Sequence, residues 1–153
     1  MTRIKKYCLV TTADERTWPR NRPVLFLGEW CKRFSRREKW NKLDFKTATY
    51  HWDDRTKLSR DYNYLLGLHE VLLKDLSIQL NKIHKVNYSI RYWRILIGPW
   101  LGYFIQALFD RWRMLNKAAD EYDIDTCQVV DRDIKSIIPN DMNDFIKILY
   151  QTK

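Results

Sequence analysis

Glycine and proline are scarce in this chain, with only four of each among 153 residues. That scarcity argues against a turn-rich or low-complexity architecture and for long regular elements. No phosphate-cradling glycine loop occurs, neither the P-loop spacing nor G-x-G-x-x-G. The nucleophile elbow G-x-S-x-G and the zinc motif H-E-x-x-H are missing as well. The three cysteines, Cys8, Cys31 and Cys127, are widely separated and form no C-x-x-C pair. An odd, scattered set points to reduced thiols in a cytoplasmic protein, not to a disulfide framework. Cys8 and Cys127 fall in apolar, strand-like runs, where each is expected as a small buried hydrophobe. His51, His69 and His84 share no ligand spacing with the cysteines, so no metal site is expected. The basic stretch Met1–Lys6 lacks the apolar run of a secretory leader, and no signal peptide is expected.

What the chain does have is aromatic residues and positive charge. Seven tryptophans and nine tyrosines offer broad apolar faces with a polar edge, the kind of surface that lines carbohydrate and nucleotide sites and also fills cores. The formal charge is +9 and unevenly spread: nine Lys or Arg lie from Arg20 to Lys46, against Glu29, Glu38 and Asp44. From Asp110 to Asp144 acids outnumber bases nine to five. A positive face suits phosphate, nucleotide-sugar or anionic lipid head groups, or simply a solvated loop. The basic residues match no nucleic-acid module, and the acidic last third would repel a phosphate backbone, so no nucleic acid is expected. At 45% hydrophobic and 31% charged, the chain is long enough for one α/β domain spanning residues 1–153.

Two apolar runs, Tyr7–Val10 and Val24–Leu27, read as buried strands bounded by polar corners. Leu58, Leu65, Leu72, Leu76, Leu80 and Ile83 recur at helical steps and predict a long amphipathic helix, which Asp53 or Asp54 would cap. After a polar break over His84–Asn87, Gly98-Pro99 reads as the start of a second long helix running to about Glu121. That helix is apolar on nearly every side at first, which predicts burial. The apolar stretch from Ile95 to Phe109 falls short of the roughly 20 residues needed to span a bilayer. A third strand is expected over Asp125–Asp131 and a last helix over Asp141–Tyr150. The basic stretch from Lys32 to Lys46 reads as a surface excursion with a short helix.

If the first two strands are parallel neighbours, Asp14, Glu15, Arg16 and Glu29 share the carboxyl edge of the sheet, where open α/β sheets bind ligands. Glu29 follows Gly28 between aromatic neighbours that would desolvate it, which makes it a candidate general base or sugar-hydroxyl acceptor, the alternative being an ion pair with Arg16 or Arg94. Asp14 is the second candidate catalytic carboxylate. Glu15 and Arg16 stand beside it as candidate substrate-binding residues. Arg91 and Arg94 flank Trp93, and with a helix opening at Pro99 they would form a phosphate site or, equally, a basic turn that packs Trp93 and anchors the two long helices. Asp131-Arg132-Asp133 matches a metal-binding D-x-D after a strand, but Asp123-Ile124-Asp125 matches it equally well, so the pattern carries little.

Several of these segments resemble one family. Thr11–Trp18, Val24–Cys31, Tyr50–Arg55, Arg91–Leu101 and Ile138–Asp141 are similar to ordered motifs of a transferase family associated with bacterial O-antigen and surface-polysaccharide biosynthesis. Within these motifs His51 and Asp53 are further candidate substrate-binding residues, and Asp53 or Asp54 is a candidate base for an acceptor hydroxyl where it is not taken by helix capping. The resemblance itself carries over positions without roles. It implies a Rossmann-like half of a two-domain, GT-B-like glycosyltransferase, with this chain as the N-terminal, acceptor-side part of a longer enzyme, inactive as an isolated fragment. It also implies a sugar or lipid-linked glycan acceptor, and a nucleotide-sugar donor bound by a missing C-terminal half or second polypeptide, with no cofactor in this chain. The expected location is cytoplasmic, with peripheral contact at the inner face of the plasma membrane. The alternative is a non-catalytic module that binds anionic lipid or lipid-linked glycan.

Overall fold

The computed structural model describes residues 5–131, 133 and 138–150. It is α/β, with four parallel strands: β1 (Tyr7–Val10), β2 (Val24–Phe26), β3 (Phe45–Thr47) and β4 (Ile124–Cys127). The sheet order is β3-β2-β1-β4. The chain therefore steps outward from β1 to β3, then returns to the other side of β1 to lay down β4. Helices are α1 (Arg37–Trp40), α2 (Arg55–His84), α3 (Ile90–Glu121) and α4 (Met142–Tyr150). Three-residue 3-10 turns follow β1 and β2, at Glu15–Thr17 and Glu29–Cys31, and a third precedes α1 at Phe34–Arg36.

The chain divides into two compact units, Met1–Tyr50 with Met114–Lys153, and His51–Arg113. In the first, every residue of β1 and β2 is buried, as expected for parallel strands covered on both faces. Their side chains pack with Leu27, Cys31, Ala48, Met114 and Ala118, and with the flanking rings of Trp18, Trp30, Trp40 and Phe45. In the second, Leu65, Leu73, Trp93, Leu101 and Ile105 form the core between α2 and α3. Asp54 caps α2, accepting from the Thr56 and Lys57 N–H groups at 2.9 and 3.1 Å. Lys85 ends it in the left-handed region at φ 54°. Gly98 sits where the helices cross: a Cβ there or at Gly102 would reach the His69 ring at 4.0 or 3.6 Å.

The structure corrects four expectations. α3 begins at Ile90, not Pro99, which lies inside the helix. Ser89 provides the start, its hydroxyl accepting from the Tyr92 N–H at 3.4 Å. Pro99 removes one helical N–H donor, yet the helix runs through it, packed on α2, where His69 Nε2 lies 3.0 Å from the Gly98 carbonyl. Second, α3 is not buried all round, since Tyr92, Ile95, Leu96, Leu108 and Trp112 are exposed. Third, Cys127 is exposed on β4 whereas Cys8 and Cys31 are buried. Fourth, the basic excursion contains a strand, β3, after its short helix. In α4, Phe145 is buried while Met142 and Ile146 are partly exposed; the Leu149 side chain lies outside the described residues.

Candidate functional site

Val10 and Phe26 are register partners in adjacent parallel strands, so the loops after β1 and β2 leave from one edge of the sheet. Several hydrogen bonds knit those loops together. The Leu27 N–H donates to the Val10 carbonyl at 2.9 Å, the Trp30 indole to Thr11 O at 3.3 Å and the Trp18 indole to Thr12 O at 3.5 Å. Gly28 makes room for this arrangement, because a Cβ there would stand 2.1 Å from the Trp30 ring. The carboxyl edge is thus a built surface, with its backbone groups satisfied by indoles.

Asp14 is buried in that edge, and its carboxylate is already engaged. Oδ1 caps the 3-10 turn by accepting from the Arg16 N–H at 3.1 Å, and Arg16 Nε donates to both oxygens at 3.0 and 3.1 Å. An acid held this way orients a guanidinium; it is poorly placed to collect a proton from a substrate. Glu15 pairs with Lys39 and with Arg36, whose Nε is 3.3 Å away. Around them lies a half-open cavity of about 450 Å³ lined by Glu15, Arg16, Trp18, Pro19, Arg20, Lys39 and Leu43. Arg20 has no ion-pair partner among the described residues. The cavity thus combines an indole, a proline and a leucine with three cations, one of them uncommitted.

Glu29 lies on the same edge but is not desolvated: its side chain is 78% exposed and pairs with Lys32 at 2.9 Å. Arg16 and Arg94 pair instead with Asp14 and Glu70. Lys32 is the fixed member of the Glu29 pair. Its stem is buried and its ammonium stands 5.4 Å from the Trp40 ring centre and 5.2 Å from that of Phe45. Lys32, Lys39, Arg20 and Trp18 are absent from the sequence-based candidates. The Glu29/Lys32 spacing was the signal that could have found the first; Lys39 and Arg20 were hidden in an undifferentiated basic run.

The remaining candidates belong to the second unit and do not form the expected phosphate site there. Arg94 grips Glu70, with Nη2 to Oε2 at 2.7 Å, and this bond holds the Glu70 carboxyl down to about 2. Arg91 is exposed, and Pro99 opens no helix, so no ring of free N–H groups faces either arginine. Asp53 is exposed beside the capping Asp54. His51 is only 3% exposed, which leaves no surface for a substrate. Its Nε2 lies 3.1 Å from Asp110 Oδ1 and its Nδ1 2.9 Å from Lys57 Nζ. Lys57 in turn pairs with Asp61, which also accepts from the Trp52 indole at 3.0 Å. This is a buried polar network that joins the segment after β3 to both long helices of that unit.

Among the described residues no three His, Cys, Asp or Glu side chains stand close enough to hold a metal ion. Asp131 and Asp133 are exposed, and Arg132 between them lies outside the described residues. Asp125 is taken up by Arg22. No helix among the described residues is long and apolar enough to cross a membrane.

No curated protein and no solved structure matches this chain. The family model described as LIC12162 family transferase matches residues 7–153, from the first residue of β1 onward. With a match of that extent laid over a parallel α/β sheet, the chain belongs to the LIC12162 family of transferases.

Proposed function

We propose that this chain is the acceptor-side, Rossmann-like portion of a glycan transferase of O-antigen or surface-polysaccharide assembly. In this reading a second α/β half completes the enzyme and brings the nucleotide-sugar donor. The observation that carries it is the pairing of β1 with β2, which sets the Asp14–Arg16 corner and Glu29 on one sheet edge, with Arg16 also lining a cavity rich in cations. Glycosyl transfer needs a base near the acceptor hydroxyl and positive charge near phosphate. Glu29, accessible and steadied by Lys32, is the carboxylate suited to take the hydroxyl proton. Asp14 serves as a positioning residue that fixes the Arg16 guanidinium toward phosphate. Trp18 and Leu43 supply apolar faces for a sugar ring, with Arg20 and Lys39 at its charged end.

Titration calorimetry of this chain with glucose 1-phosphate as probe tests the binding half of the reading. Binding that weakens about tenfold in Arg20→Ala, as expected for loss of a charge-assisted contact, supports it. No binding, or equal binding by the variant, rejects the cavity as the phosphate site. For the chemical half, Glu29→Gln in a family member containing both halves should abolish transfer at unchanged Tm. Retained turnover removes Glu29 from the reaction.

A further inference from the structure

The turn joining α2 to α3 has an unusual charge pattern. From Leu76 to Phe109 there is no aspartate or glutamate, although the stretch contains Lys82, Lys85, Arg91 and Arg94. Arg94 is held by Glu70 from α2. Lys82, Lys85 and Arg91 have no ion-pair partner among the described residues. Ordinary exposed surfaces intersperse both signs and few large aliphatics. Here Ile83 is 69% exposed and Ile95 72% exposed, and Tyr88, Ile90, Tyr92 and Leu96 are exposed too. Tyr92, Ile95, Leu96 and Pro99 fall at the i, i+3, i+4, i+7 positions of one helix face.

The turn is also closed by its own hydrogen bonds and ring contacts. Asn81 donates to the Tyr88 carbonyl at 2.9 Å, and its side-chain oxygen accepts from the Tyr88 N–H at 3.1 Å and the Trp93 indole at 2.9 Å. The Tyr88 and Tyr92 rings lie 4.2 Å apart, and Tyr92 meets Trp93 edge-on at 5.2 Å. A partner would therefore meet a preorganised tip, with little ordering left to oppose binding.

We propose that this turn is a peripheral docking tip for a lipid surface carrying anionic head groups. Its aliphatic and tyrosine side chains enter the head-group boundary while Lys82, Lys85 and Arg91 meet lipid phosphates. Charge complementarity selects this occupant. A second copy of the chain would bring like charges together, which opposes association. The tip lies on the membrane and does not span it. The inference stands on the second unit alone and does not depend on the transferase site proposed above.

Flotation of the intact chain with vesicles tests it, using phosphatidylcholine alone and phosphatidylcholine with about one-third phosphatidylglycerol. The chain should float with the anionic vesicles at low salt, stay behind with the neutral ones, and be released at high salt. The Lys82→Glu/Arg91→Glu double variant should lose at least about 25-fold in partitioning, about fivefold per basic residue removed. Ile95→Ser/Leu96→Ser should also fail to float. Both doubles change exposed side chains, and unchanged helical circular dichroism shows that they fold. Equal flotation with both vesicle types, no flotation, or flotation undiminished in a folded double variant overturns the proposal. So does a dimer of the wild-type chain that Ile95→Ser/Leu96→Ser dissociates, since the face would then belong to a second copy.

Discussion

His51 and Asp110 are 59 residues apart in the chain, yet His51 Nε2 lies 3.1 Å from Asp110 Oδ1. On the other side of the ring the Lys57 ammonium donates to Nδ1, which leaves the single imidazole proton on Nε2 to donate to Asp110. The buried ring is therefore neutral, with both nitrogens satisfied. Burial pushes its pKa below the ordinary value; the Asp110 bond opposes this and the Lys57 charge reinforces it.

A pH dependence of stability follows. Below about pH 6.5 the unfolded chain protonates this histidine while the folded one resists, so the unfolded state binds more protons. The contribution is complete above that pH and is lost as pH falls toward the lower folded value. Thermal unfolding should show Tm dropping between about pH 7 and pH 5, with a shallower slope in His51→Gln. A wild-type Tm that stays level across the window contradicts the neutral-ring arrangement.

Asp61 tests the same network from its acidic side. Its burial opposes ionisation, but the bonds from Lys57 and Trp52 outweigh that and hold its pKa below the usual carboxylate value. Asp61→Ala leaves a half-buried ammonium and an indole N–H without their acceptor, and should lower unfolding free energy in urea by about 2–4 kcal/mol. Lys57→Met/Asp61→Leu should recover only part of that loss: no unpaired charge remains, but His51 Nδ1 loses its Lys57 donor and the Trp52 indole its Asp61 acceptor.

The glycines separate by what surrounds them. Gly67 has nothing within 4 Å of a would-be Cβ, so Gly67→Ala should stabilise the chain by about 1 kcal/mol through helix propensity. Gly102 faces the His69 ring at 3.6 Å. There Ala should be tolerated and Leu should cost about 1–3 kcal/mol by overpacking. Urea midpoints of the three variants check the order.

Gly28 is a steric case, since its φ of −175° is extended backbone open to any residue. A methyl there displaces the Trp30 ring and its bond to Thr11. Gly28→Ala should change the near-ultraviolet circular dichroism and lower stability by about 1–3 kcal/mol, with far-ultraviolet helix content unchanged. Unaltered aromatic signals would mean that the Trp30 ring does not lie against Gly28 in solution.

Much of the fold was legible from local patterning. The β1 and β2 runs, the α2 periodicity with a cap at Asp53 or Asp54, and the break over His84–Asn87 all follow from short-range rules. Pro99 misled because a helix-starting signal also fits the interior of a helix packed against a neighbour. The Ser89 cap was the competing signal. β3 escaped because three residues in a lysine-rich stretch show no period, and it is the neighbouring β2 that makes them a strand. For the site, adjacency of the two strands was readable, whereas the partners of Asp14 and Glu29 were not, since ion-pair choice depends on loop geometry.

The sheet order also sets the sequence in which the molecule can assemble. β1, β2 and β3 come from the first 47 residues, and α2 with α3 is a local hairpin, whereas β4 must find β1 across nearly the whole chain, Tyr7 against Ile124. Closing so long a loop is entropically expensive and intrinsically slow. Refolding should therefore gain helical signal first and add the fourth strand last, leaving one flank of β1 open to intermolecular pairing in the meantime.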